Sequence, residues 1–153
     1  MKLDRPLDES ARSAHRLYVH LAWPTLGRLP LVPTDLRGPA EWQLISLCRR
    51  LDVEPVCVRV FSDRAHALVR VKPSHAVGRL VRRLKVGSEE ALAASGRSVR
   101  WGRAYAATTV GPAEVRDSMR RIASAPERDF RAGRRFARRR KGRPERRRGL
   151  HRS

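Results

Sequence analysis

Leu17, Val19, Leu21 and Trp23 alternate with Tyr18, His20 and Ala22, the period-two pattern of a half-buried strand, which Pro24 closes. Residues 27–39 are punctuated by glycine and proline and read as a loop. Trp42, Leu44, Ile45, Leu47, Cys48 and Leu51 then recur at helical spacing, predicting a first helix from Pro39 to Leu51 with the proline in its first turn. Val56, Val58, Val60 and Phe61 predict a second strand. Ala65, Ala67, Val69 and Val71 define the inward face of a third, and the short turn at Ser62-Asp63 joins the two as a hairpin. Pro73 stops the third strand and Ser74 is placed to cap a second helix with the apolar stripe Val77, Leu80, Val81 and Leu84. Gly87 is expected to break that helix, with a further turn from Ser88 through Leu92. A fourth strand is expected near Arg103 to Val110 and a third helix from Pro112 to about Ala125. This order is that of an α+β ferredoxin-like sandwich, an antiparallel β-sheet with helices on one face.

Length and charge narrow the picture. A chain of 153 residues is long enough for one domain and too short for a second core of comparable size. The 35 Lys and Arg against 15 Asp and Glu leave a net charge of +20, a field that attracts polyanions, nucleic acid before anionic lipid. Residues 1–15 lack periodicity and read as a flexible leader, and residues 16–127 hold the predicted elements. Residues 128–153 carry 13 Lys and Arg and few apolar side chains, so they read as an Arg-rich basic tail that cannot bury enough surface to fold alone. Cys48 and Cys57 lie nine residues apart without a Cys-x-x-Cys spacing, which argues for two reduced cysteines over a disulfide or a zinc site. The N-terminal stretch has no apolar core for a signal peptide and no apolar run approaches a membrane span. A cytoplasmic protein without membrane contact is the expectation.

The chemistry concentrates in Ser62-Asp63-Arg64-Ala65-His66-Ala67-Leu68-Val69. A strand carrying His-hydrophobe-His places two imidazoles on one face, where together they can hold a divalent metal over a phosphodiester. Here Arg64 stands in the partner's place, and a guanidinium has no lone pair to offer. His66 alone is a weak metal candidate. His20, on the adjoining strand, can face the same pocket, so a rearranged His20/His66 pair is a second weak candidate.

Val19-His20-Leu21-Ala22-Trp23-Pro24-Thr25, the strand from Ser62 to Val69, Arg82-Arg83-Leu84-Lys85, and Trp101-Gly102-Arg103-Ala104-Tyr105 with Thr109-Val110 together resemble the REP-associated and insertion-sequence tyrosine transposases. These are single-strand DNA nucleases of the HUH class, with an IS200-like transposase domain. The resemblance covers roughly residues 16–128. It implies a ferredoxin-like fold, Mg or Mn as the family's metal, a helix-borne tyrosine nucleophile, and a glutamine one turn later that helps two histidines hold the ion. It also implies hairpins with adjoining single strands as substrates, and makes a homodimer plausible. Here the tyrosine position falls on Arg121, the glutamine position on Ala125, and the two histidine positions on Arg64 and His66. Three of four catalytic positions depart from the family's pattern. Tyr105 matches a family aromatic and reads as a packed one, and Tyr18 reads as a sheet-surface aromatic able to stack a base.

Cleavage is therefore not expected and no cofactor is assigned, whereas phosphate contacts need only placed cations. The candidates for nucleic-acid binding are Arg28, Arg64, Arg79, Arg82, Arg83, Lys85 and Arg121, with Arg134, Arg135, Arg138, Arg139, Arg140 and Lys141 in the tail. Each arginine alone reads slightly better as a solvated charge, whereas the tail as a set does not. Arg64 and Arg121 together suggest two guanidiniums clamping one phosphate. The reading is a DNA-binding, transposase-derived protein that holds hairpin or single-stranded DNA without cutting it. Two alternatives remain: an active nicking enzyme with a rearranged site, and a basic RNA- or ribosome-associated domain. An RNA-recognition sheet is disfavoured because the third strand offers Arg64, His66, Leu68 and Arg70 where stacking aromatics are needed.

Overall fold

The computed structural model describes residues 17–126, so the leader and the basic tail lie outside the described residues. Strands β1 (Leu17–Pro24), β2 (Glu54–Val60), β3 (Arg64–Val71) and β4 (Ala106–Val110) form one antiparallel sheet in the order β2-β3-β1-β4. Helix α1 (Thr34–Arg50) connects β1 to β2, α2 (Val77–Ala94) connects β3 to β4, and α3 (Val115–Ala123) follows β4. This is the expected α+β sandwich, with the ferredoxin-like strand order.

The register explains the main core. Leu21 lies opposite Ala67 and Trp23 opposite Ala65, so each large side chain is paired with a small one and the sheet can accept the helices closely. On this face Val19, Leu21, Trp23, Val58, Val60, Val69 and Val71 pack against Leu36, Ala40, Leu44 and Cys48 of α1 and Leu80, Val81, Leu84 and Leu92 of α2. Trp101 closes the end of this core. Its ring meets Trp23 edge-on at 5.9 Å, its indole N–H donates to Ser88 Oγ at 2.9 Å, and its backbone N–H donates to Glu89 Oε1 at 2.7 Å.

Helix α3 lies on the opposite face, correcting the expectation of helices on one face only. Leu68, Val110 and Ile122 form a second small core there, with Tyr18, Val56, Cys57 and Val115 packed around it. The outward positions of β3 are therefore covered. Cys48 sits in the first core and Cys57 borders the second, on opposite sides of the sheet, and both are free thiols.

Several element boundaries differ from the sequence reading. Helix α1 starts at Thr34 with Pro39 inside it. Pro39 removes the hydrogen bond to the Asp35 carbonyl, and both residues are exposed, so water can take the proline's place. The buried stripe of α1 is Leu36, Ala40, Leu44 and Cys48, while Trp42 is 64% exposed. Helix α2 is capped at Ala76, with no side-chain cap from Ser74, and runs unbroken through Gly87. A Cβ at Gly87 would lie 2.8 Å from Leu47 Cδ2, so the glycine marks the close approach of α1 and α2. Strand β4 begins at Ala106, three residues later than expected, after an isolated bridge between Thr25 and Trp101.

Candidate functional site

On the face that carries α3, β1 presents His20 and β3 presents Arg64 and His66. His20 pairs in register with Leu68, and Ala22 with His66, so the two histidines are diagonal neighbours on one side of the sheet. Their rings stack at 5.2 Å, with His20 Nε2 3.0 Å from His66 Nδ1. Arg64 Nε donates to His66 Nε2 at 3.2 Å. Because arginine is a donor only, His66 Nε2 must be the acceptor, so the ring proton sits on Nδ1 and is donated to His20 Nε2. The result is a directed relay, Arg64 to His66 to His20. Burial and the nearby Arg121 guanidinium push the His20 pKa below its ordinary value of 6.5.

Arg64 is only 5% exposed, unusual for a guanidinium, and its hydrogen bonds account for it. One terminal nitrogen bonds Asp63 Oδ1 at 2.9 Å, the other donates to the Pro126 carbonyl, and the guanidinium lies 4.3 Å from the centroid of the buried Phe61 ring. His66 meets the same ring edge-on at 5.7 Å. Arg64 thus clasps the β2–β3 turn to the segment leaving α3. The two-guanidinium phosphate clamp is corrected accordingly: Arg121 is exposed and donates to Ser118 Oγ, but Arg64 is built into the fold.

The arrangement does not fit a divalent cation. Both ring nitrogens of His66 are engaged, a positive guanidinium stands beside them, and no group of three or more His, Cys, Asp or Glu side chains among the described residues converges to hold a metal. Nor do the two helical positions survive as a pair. Helix α3 ends at Ala123, with Ser124 as its C-cap, leaving Ala125 outside the helix. The expected one-turn geometry between Arg121 and Ala125 is therefore absent. Tyr18 is half-buried beside the second core, and Tyr105 is 40% exposed against Gly78.

The other cations divide by location. Arg79, Arg82 and Arg83 are exposed on α2 and, with Arg50, Leu47, Leu51, Val86, Gly87 and Glu90, line a groove of about 590 Å³ between α1 and α2. Arg50 escaped the sequence reading, although its place one turn after Leu47 puts it on the same side of α1. Lys85, grouped with these arginines from sequence, faces elsewhere. Its Nζ donates to the carbonyls of Gly102, Arg103 and Ala104 at 2.8–3.2 Å, and burial lowers its pKa to about 8. It holds the loop before β4, and those carbonyls compete with any phosphate for it. Arg28 is exposed in the turn after β1, with φ +58°. Arg134, Arg135, Arg138, Arg139, Arg140 and Lys141 lie outside the described residues.

The family described as "Transposase IS200 like" matches residues 13–123. A crystal structure of a candidate transposase from Deinococcus radiodurans R1 superposes with a TM-score of 0.57 at 21% identity, covering 80% of this chain and 95% of that one. At that identity the superposition speaks for the fold. No curated protein matches the chain. No helix among the described residues is long and apolar enough to cross a membrane. The family match extends from before β1 to the last residue of α3, the same elements that carry the two histidines, the arginine clasp and the basic helix, and the chain belongs to the IS200-like transposase family.

Proposed function

We propose that this transposase-family chain binds structured single-stranded DNA, a hairpin with adjoining single strands, and does not cut it. The observation that carries the reading is the buried Arg64. At the position where the resemblance implies a metal-holding histidine, a guanidinium bonds Asp63, His66 and Pro126, and so contributes to the fold in place of a cation site. Arg121 and Ala125 supply neither a phenol nor an amide where the family's nucleophile and third metal donor are expected. Binding needs none of these groups. The exposed arginines of α2 and the +20 net charge support recognition of a polyanion, and the family supports DNA as that polyanion.

Two measurements on the full chain test this. Gel-shift titration with a hairpin, its linear permutation and a duplex should favour the hairpin. Incubation of the hairpin with the protein and Mg or Mn should give neither a nicked strand nor a covalent adduct. An active enzyme with a rearranged site predicts a different outcome. A protein–DNA adduct, mapped by peptide sequencing to Tyr18 or Tyr105, would establish that reading and overturn ours.

A further inference from the structure

We infer that the unpaired strand beside the hairpin stem is held in the groove between α1 and α2, one of its bases on an apolar floor and the adjoining phosphates on an arginine rim. This rests on the binding function above and gives it a site. The rim is Arg50, Arg79, Arg82 and Arg83, the floor is Leu47, Leu51 and Val86, and Glu90 is the one acidic lining residue. At about 590 Å³ the groove is within the ~300–1,000 Å³ of pockets that take small organic ligands. Among the described residues no carboxylate is ion-paired with any of the four arginines. Their charges are available to phosphate.

Two other surface grooves lack this excess of cation. At the start of β2, Lys72 is paired with Asp52 and Arg70 with Glu54. Beside α3, Arg120 and Arg121 share their groove with Glu114 and Asp117, and Arg120 lies 3.9 Å from Asp117. A phosphate entering either one also meets two carboxylates.

The floor decides which polyanion the groove suits. Val86 is apolar yet 45% exposed, and the close approach of the helices at Gly87 sets Leu47 against α2. A duplex keeps its bases stacked and offers a protein mostly sugar and phosphate, so apolar side chains between the arginines gain nothing from it. An unpaired base brings a ring face, and laying it on the floor removes both surfaces from water. The groove also lies across the sheet from His20, Arg64 and His66. A strand seated there is screened by the sheet from the family's catalytic positions on β3.

Fluorescence anisotropy on the full chain tests this with three labelled DNA hairpins of one stem: blunt, with a single-stranded flank, and with an abasic flank of the same length. The intact chain should bind the flanked hairpin about tenfold more tightly than the abasic one, the scale of one stacked base, and the blunt one most weakly. Val86→Ser should weaken binding of the flanked hairpin about threefold and leave the abasic one unchanged. Combined Arg79→Gln, Arg82→Gln and Arg83→Gln should abolish the preference for a flank. Combined Arg100→Gln, Arg116→Gln and Arg120→Gln, at exposed positions outside the groove, lower the charge equally and should keep it. Equal affinity of the intact chain for native and abasic flanks would overturn the inference and leave the binding function standing. So would full-strength binding of the flanked hairpin by Val86→Ser, or equal loss of flank preference in the two triple variants. Displacement of the flanked hairpin by polyglutamate as readily as by unlabelled hairpin would overturn it too, by making the groove a seat for any acidic chain. Failure of every hairpin to bind would overturn the binding function itself, and the inference with it.

Discussion

Arg64 shows how far a single residue can be read before its surroundings are known. That it cannot ligate a metal follows from the chemistry of guanidinium alone. That its guanidinium also bonds a carbonyl 62 residues away and is buried there follows from nothing near it in the chain. Arg64→Ala should destabilise the protein by about 2–3 kcal/mol, the scale for removing hydrogen bonds to a buried charged group. Arg82→Ala, exposed on α2, should stay within about 0.5 kcal/mol. Urea denaturation of the two variants measures the contrast, and equal losses would remove the clasp. His20 supplies a second residue-level expectation. Its folded-state pKa is depressed below 6.5, so the unfolded chain binds the proton more readily, and stability falls as pH drops through 6.5 toward the folded value. Thermal melts between pH 8 and pH 5 should show the intact protein losing more stability than His20→Gln. Parallel curves would mean that this histidine is not proton-linked to folding.

At the scale of elements, periodicity located the first three strands and the first two helices of the described residues, because an apolar face repeats every two residues in one and every 3.6 in the other. It misjudged where the helices stop and which side they cover. Gly87 reads as a break, since glycine is a poor helix former. In the fold it is where α2 meets Leu47, and tertiary contact holds the helix through it. Gly102 enters the sequence reading only within the Trp101-Gly102-Arg103-Ala104-Tyr105 motif, and a Cβ there would lie 3.0 Å from the Thr25 carbonyl oxygen and 3.3 Å from that of Pro24. The two glycines should answer differently to alanine. Gly87→Ala gains about 1 kcal/mol of helix propensity against the displacement of a flexible Leu47 end, so its net effect should be within about 0.5 kcal/mol. Gly102→Ala presses on fixed backbone and pushes the carbonyl that Lys85 holds, and should cost about 2 kcal/mol. Comparison of the two melting temperatures decides it. Trp42 was misjudged for a related reason: it falls within the helical repeat but on its outer border, and only the packing of α1 against the sheet shows that Leu36, Ala40, Leu44 and Cys48 face inward.

For the molecule as a whole, the charge of +20 makes polyanion binding the expectation before any fold is known, and it carries a quantitative consequence. If hairpin binding neutralises five or more phosphates, affinity should fall at least about a hundredfold between 50 and 200 mM salt, because each contact releases counterions. A flat salt dependence by fluorescence anisotropy would show that charge is not what holds the nucleic acid. Composition, periodicity and the order of motifs were sufficient for the α+β class, the family resemblance and the expectation that Arg64, Arg121 and Ala125 stand at three of its catalytic positions. All three depend on residue type and local spacing, which the linear chain carries directly. The tertiary structure alone decided that α3 covers the second face of the sheet, that His20 and His66 hydrogen-bond to one another, that Lys85 is turned onto carbonyls, and that Arg50 joins the arginines of α2 in one groove. These depend on contacts between segments tens of residues apart, and such contacts are fixed only when the burial of one apolar face forces every other element to its place.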